Sequence, residues 1–392
     1  MDQEQLYRQF LLKNRYPRQL VNYEMTAGFY LESNGKSLIN FSSNDYLGLS
    51  KHPLLIERVQ DYAKRFGIGS GSSRLVAGNS RLYDELEGKL AAALNKPAAL
   101  ILGTGYQTNF TVLEGLLDEK VLTQKPLVFC DQFCHTSIIS SVRHSAEVNH
   151  FRHNDLKHLE ELLDRNHHLA QPKYIFAESI YSMDGDRLDL EKITALAKQY
   201  GAMLYIDDAH SVGVCGPDGW GNAAQYAGQI GIMMGTFSKA LGSFGGYIAC
   251  SETVKDYLIN KCRGLIYSTA LPIPILGAIS AAIELVPQMA AARKKLISHS
   301  KKLLTFFKEN QINCGAADSH IIPWIIGDSK KTLYASELLK QAGILGVTIR
   351  PPSVSLGQSR IRFCLSAAHE EKDLEKLMAA IVEVQGKCSR IK

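Results

Sequence analysis

G-T-F-S-K-A-L-G-S-F-G-G, residues 235–246, sets one lysine, Lys239, among hydroxyl residues and glycines. Thr236 and Ser238 flank it, Ile232, Met233 and Met234 lead into it, and Gly242, Gly245 and Gly246 follow. A lysine amine condenses with an aldehyde, hydroxyls hold a phosphate, and small residues let a flat ring approach the backbone. Pyridoxal phosphate combines those three groups. Most lysines are solvated surface groups, so the reading stands only because distant parts of the chain supply the other contacts.

Outward from this stretch, apolar runs at 98–102, 127–130, 174–178, 203–207, 232–234 and 247–250 alternate with helical segments. Strands apolar on both faces, separated by helices, predict an α/β fold with a large, mostly parallel sheet. Ligands then belong at the carboxyl ends of the strands. The run 203–206 ends in Asp207-Asp208-Ala209-His210. An ionised Asp207 keeps a pyridine nitrogen protonated, which makes the ring an electron sink. His210 is in reach of a ring hydroxyl, and Asp208 is expected to cap the following helix.

Residues 103–109, G-T-G-Y-Q-T-N, follow the 98–102 strand and open a helix, whose free amides offer a phosphate seat. His135 follows the 127–130 strand and is placed to stack on a ring. Ser182 follows the strand ending at Glu178. Five strand ends thus direct Tyr106, His135, Ser182, Asp207 and Lys239 to one sheet edge. A dinucleotide site would want a third glycine where Thr108 stands, and a nucleotide-dependent dehydrogenase would leave Lys239 and Asp207 idle. A non-catalytic binding protein on this fold is disfavoured because the expected catalytic groups are all present.

Elsewhere, Leu6, Phe10 and Leu11 predict an N-terminal helix over 2–16 that packs on a partner, and Asn34-Gly35 predicts a hairpin turn. Glycine density from 67 to 78 predicts a loop without a regular element. After residue 287 a long amphipathic helix, strands near 320–326 and 347–349 and a closing helix predict a smaller α+β domain. The expected division is an N-terminal segment (1–45), a cofactor-binding α/β domain (46–287) and a C-terminal α+β domain (288–392).

A net charge of +5, from 44 basic and 39 acidic residues without dense basic runs, argues against a nucleic-acid partner. The polar amino terminus and the absence of a long apolar run argue against a membrane span, and eight cysteines without paired spacing point to a reducing, cytoplasmic setting. Cys130, Cys134 and His135 resemble half a zinc site with no second half, so no metal is expected.

The sequence resembles the α-oxoamine synthases, fold-type I pyridoxal-phosphate enzymes. The resemblance lies in F-S-S-N-D-Y-L-G-L (41–49), G-I-G-S-G-S-S-R (67–74), S-M-D-G-D (182–186), D-D-A-H (207–210), T-F-S-K-A-L-G (236–242), Y-S-T (267–269) and R-P-P-S-V (350–354). It implies a PLP-dependent acyltransferase joining an amino acid, expected to be L-alanine, to an acyl thioester, expected to be pimeloyl-coenzyme A or the acyl carrier protein equivalent. Sister synthases acting on glycine or serine with other acyl groups are the alternatives.

The resemblance also implies that Lys239 is the Schiff-base lysine, Asp207 the pyridinium partner and His210 the contact to the ring hydroxyl. It puts Ser182, Thr236 and a stacking His135 in the cofactor site, with Gly105 and Tyr106 on the phosphate. Ser268 or Thr269 would reach the phosphate of the neighbouring subunit in a homodimer. Arg362 and Asn44 would hold the amino-acid carboxylate, Ser353 would touch substrate, and Lys13 or Arg15 would meet the acyl donor.

Overall fold

The computed structural model describes residues 2–13, 17–26, 29–33, 35–143 and 145–388. The chain opens with a helix, Gln3–Lys13, that buries none of its residues. Arg15 and Asn34 lie outside the described residues, but the hairpin predicted around Asn34 forms. Strand β1 (Glu24–Met25) pairs with β2 (Tyr30–Ser33), which pairs antiparallel with β3 (Lys36–Asn40).

The large sheet contains β4 (Ala98–Leu102), β5 (Leu127–Asp131), β6 (Glu147–Phe151), β7 (Lys173–Glu178), β8 (Met203–Asp207), β9 (Ile232–Thr236) and β10 (Gly246–Cys250). Its order is β4-β10-β9-β8-β7-β5-β6. All are parallel except β10, which runs antiparallel to both neighbours. Every residue of β4, β5, β9 and β10 is buried. Removing an aliphatic or aromatic side chain from water there contributes about 1.5–3 kcal/mol.

The edge strand β6, E-V-N-H-F, was not expected, since it buries only Phe151 and lacks the apolar pattern of its neighbours. The stretch 67–78 also differs from expectation. It is irregular to Ser73, then Arg74–Gly78 winds into one π-helical turn. Arg74 holds that turn in place: its Nη1 donates to Glu87 at 2.5 Å and to the Ile101 carbonyl at 3.0 Å, and its guanidinium lies 3.9 Å over the Tyr83 ring.

The smaller unit is built on β11 (Ile321–Gly327), β12 (Ile344–Leu345), β13 (Val347–Ile349) and β14 (Ser359–Cys364), with helices Ala290–Glu309, Ser329–Gln341 and Glu371–Cys388. Strand β14 lies between β11 and β13. The N-terminal hairpin joins this unit through parallel pairing of β3 with β12, Ile39 facing Ile344. Among the described residues no single helix is long and apolar enough to cross a membrane.

Candidate active site

The parallel register that sets Glu178 beside Asp207 brings two carboxylates to the carboxyl edge of the sheet. Asp207 is 6% exposed. Asn109 Nδ2 donates to its Oδ2 at 2.8 Å and the Ala209 amide to its Oδ1 at 3.0 Å. Asn109 is itself fixed from behind, because the Tyr205 hydroxyl donates to its Oδ1 at 2.6 Å. The carboxylate therefore cannot swing.

Lys239 follows β9 in a turn that closes at Gly242, whose amide donates to the Lys239 carbonyl at 2.9 Å. Gly242 has φ +62°, and a Cβ there would lie 2.4 Å from the Leu49 carbonyl carbon, so only glycine fits. Burial pulls the lysine amine below its usual value; Asp207 and Glu178 work against this, and Arg362 adds to it. The result is an ammonium that gives up its proton more readily than a surface lysine.

His210 is buried, with Nδ1 2.7 Å from the Tyr46 hydroxyl, which also donates to Asn44 Oδ1 at 3.2 Å. Burial, reinforced by the charges of Lys239 and Arg362, holds this imidazole well below its ordinary pKa, so it is neutral. His135 caps the helix Thr136–Val142, its Nδ1 2.7 Å from Ser137 Oγ. Burial lowers its pKa as well. Asp208 does not cap a following helix as expected. It is a buried anchor for loops, taking the Ser179 hydroxyl and the Ala223 amide, and burial raises its pKa to about 7.

The helix Gly105–Leu116 starts beside β9. Thr104 Oγ1 accepts from the Gln107 amide at 3.1 Å, and helix geometry leaves the amides of Gly105 and Tyr106 open at the N-terminus. A Cβ on Gly105 would come within 2.6 Å of Thr236 Cγ2. Thr236 Oγ1 is buried with no partner in the protein. A closely approached backbone, open amides and an orphaned hydroxyl fit a phosphate, and the aldehyde-reactive lysine and fixed carboxylate fit the rest of pyridoxal phosphate. Ser268 Oγ accepts from Gln107 Nε2 at 2.8 Å in its own chain. Thr269 is exposed and bridges to Ser73.

Arg362, on β14, donates from Nη1 to the Ser182 carbonyl at 2.9 Å and from Nη2 to Asn44 Oδ1 at 3.2 Å. Its Nε has no partner. A cavity of about 650 Å³ opens alongside, its lining including Arg18, His135, Ser182, Asp184, Ser353 and Arg360. Arg18 Nη2 donates to Ser353 Oγ at 3.0 Å, and Arg360 pairs with Asp184 at 2.6 Å. Lys13 does not join them. It is exposed in the last turn of its helix, and Arg18 is the cation that reaches Ser353.

Sequence reasoning missed Glu178, Tyr46, Asn109 and Arg18. The sequence marks Glu178 as the end of a strand, and only the parallel register puts it beside Asp207. Among the described residues no group of three or more His, Cys, Asp or Glu is placed to hold a metal.

A lysine and a carboxylate at the strand ends of a mostly parallel sheet, next to a phosphate seat, define a pyridoxal-phosphate-dependent transferase of fold type I. The chain belongs to the family described as aminotransferase class I and II, which it matches over residues 36–381. Within that family it is an acyltransferase of the α-oxoamine synthase type. It is 45% identical over 351 residues to the 8-amino-7-oxononanoate synthase of Gluconacetobacter diazotrophicus, covering 88% of each chain. A Magnetococcus marinus protein that bears the same name provisionally is 45% identical over 348 residues, again 88% of each. In structure the chain resembles serine palmitoyltransferase from S. paucimobilis, solved with a PLP–myriocin adduct. The TM-score is 0.91 at 26% identity, covering 100% of this chain and 98% of that one.

Proposed function

We propose that the chain condenses L-alanine with a pimeloyl thioester, on coenzyme A or acyl carrier protein, to give 8-amino-7-oxononanoate, the thiol and carbon dioxide, a step of biotin synthesis. The alanine α-carbon bonds to the thioester carbonyl carbon, the thiol leaves, and the alanine carboxyl departs as carbon dioxide. Pyridoxal phosphate, when bound, supplies the aldehyde for the lysine and a ring that accepts the electron pair from the α-carbon.

The residues divide this work. Lys239, with its lowered pKa, takes the α-proton. Asp207, held by Asn109 and Ala209, would pair with the ring nitrogen, and neutral His210 would meet the ring hydroxyl. His135 and Ser182 would flank the ring. The Gly105 and Tyr106 amides with Thr236 would hold the phosphate, joined by Ser268 or Thr269 from a second subunit of a homodimer. Arg362 and Asn44 receive the alanine carboxylate, a task suited to a guanidinium whose Nε is open.

Arg18 is the observation that carries the choice of acyl donor. It lines the cavity and bonds Ser353, and no acidic partner is assigned to it among the described residues. A cation there suits the distal carboxylate of a dicarboxylic chain, whereas a long fatty acyl chain would desolvate it without compensation. The likeness to serine palmitoyltransferase favours the second reading, serine with a long-chain thioester. Eight cysteines, all free thiols, support a cytoplasmic setting.

The test is a matrix of amino acids against acyl thioesters, following thiol release. Alanine with the pimeloyl donor is expected to give the highest kcat/KM. Faster turnover of serine with palmitoyl-coenzyme A, or of glycine with acetyl-coenzyme A, would overturn the substrate assignment.

A further inference from the structure

Glu178 ends β7 and is 2% exposed. Its Oε1 accepts the His135 backbone N–H at 2.5 Å, and its Oε2 accepts the Ser182 backbone N–H at 3.3 Å. One side chain thus ties the loop after β5 to the loop after β7. Both loops contribute to the cavity lining: Cys134, His135 and Thr136 from one, Ser182, Met183 and Asp184 from the other. Each tie continues toward the reacting groups. Beyond His135 is the ring that caps Thr136–Val142 through Ser137, and beyond Ser182 is the carbonyl that takes Arg362 Nη1 at 2.9 Å.

We propose that Glu178 is a positioning residue that sets, through two backbone amides, both the ring-facing imidazole of His135 and the carboxylate-binding guanidinium of Arg362. Burial, with Asp207 adding to it, raises this carboxyl well above the ordinary carboxylate range, while the Lys239 charge and the two backbone N–H groups oppose the shift by favouring the ionised form, in which both oxygens accept. Glutamine has the same shape but offers one acceptor, and its NH₂ would face an N–H, so one tie breaks and a donor meets a donor. Aspartate keeps both acceptors on a shorter arm.

The inference deepens the reading given under Proposed function and rests on it, so the test separates the two. In full-length Glu178→Gln the KM for L-alanine and the dissociation constant for pyridoxal phosphate, from absorbance titration, are each expected to rise about tenfold, while kcat changes less than about threefold. Glu178→Asp is expected to recover at least half of the lost affinity on a logarithmic scale. Unchanged affinities in Glu178→Gln would overturn the proposal, and so would a collapse of kcat with both affinities intact. Loss of a cooperative melt in both variants would also overturn it, by making the carboxyl a requirement of the fold instead. Lys239→Ala is run in parallel. If it keeps the visible cofactor band, the functional reading fails; if it loses the band while Glu178→Gln keeps its affinities, only the role of Glu178 fails.

Discussion

The hydroxyl of Tyr46 sits 2.7 Å from Nδ1 of His210, joining the turn after the N-terminal hairpin to the loop after β8. Because the same hydroxyl donates to Asn44, the His210 Nδ1 is left to donate to the phenolic oxygen, and its Nε2 stays an acceptor. Tyr46→Phe removes the bridge and strands a buried ring nitrogen. The expected loss is about 1–3 kcal/mol of unfolding free energy, read by urea denaturation, with a weaker affinity for pyridoxal phosphate.

Asp207→Asn tests charge separately from shape. The amide fills the same space between Asn109 and Ala209 but carries no negative charge. Turnover is expected to fall by about 10²–10³-fold, with a lowered melting temperature because the amide NH₂ must face the N–H of Asn109 or of Ala209. Turnover within twofold of the parent would remove Asp207 from the chemistry.

Gly105→Ala tests the phosphate seat. The added methyl would meet Thr236 Cγ2 at 2.6 Å, so either the helix start or Thr236 must shift. An absorbance titration is expected to show pyridoxal phosphate bound at least about tenfold more weakly, equivalent to ~1.4 kcal/mol. An unaltered dissociation constant would separate this helix start from the cofactor.

His153 governs the alkaline side of the stability profile. Its Nδ1 lies 3.1 Å from Asp131 and its Nε2 3.0 Å from Asp186, between the rings of Phe133 and Tyr181. Burial works against the charged ring, but the two carboxylates prevail and raise its pKa from 6.5 to about 10. A raised histidine stabilises fully below its unfolded value and loses that contribution as pH climbs through the folded value. Urea midpoints should therefore fall between pH 6.5 and about 10. His153→Gln should cost on the order of 3–5 kcal/mol at pH 6 and flatten that limb.

The placement of the proposed cofactor residues was legible because they end strands that are apolar on both faces. Asp207 and Lys239 could be placed at one sheet edge from the runs before them. The large sheet and the N-terminal hairpin were legible for the same reason of pattern. What escaped depended on partners distant in sequence. Arg362 was found only through resemblance, since S-R-I-R-F-C alternates charged with apolar residues and gives no sign that β14 lies between β11 and β13. Asp208 has the local look of a helix cap, and only the folded chain shows that Ser179 and Ala223 claim it. Arg18 stands in a stretch without periodicity, where Lys13 and Arg15 looked equally suitable.

The hydrogen bond between Asn44 and Arg362 spans 318 positions of chain. A ribosome making this protein releases Gly105, His135, Ser182, Asp207 and Lys239 well before Arg362. The proposed cofactor seat can thus assemble on the nascent large sheet while Arg362, proposed to hold the amino-acid carboxylate, is still unmade. Under that reading, late closure of so long a loop makes amino-acid binding the final property acquired in synthesis, and a chain cut short before β14 is expected to keep the cofactor's seat but lack the means to hold its substrate.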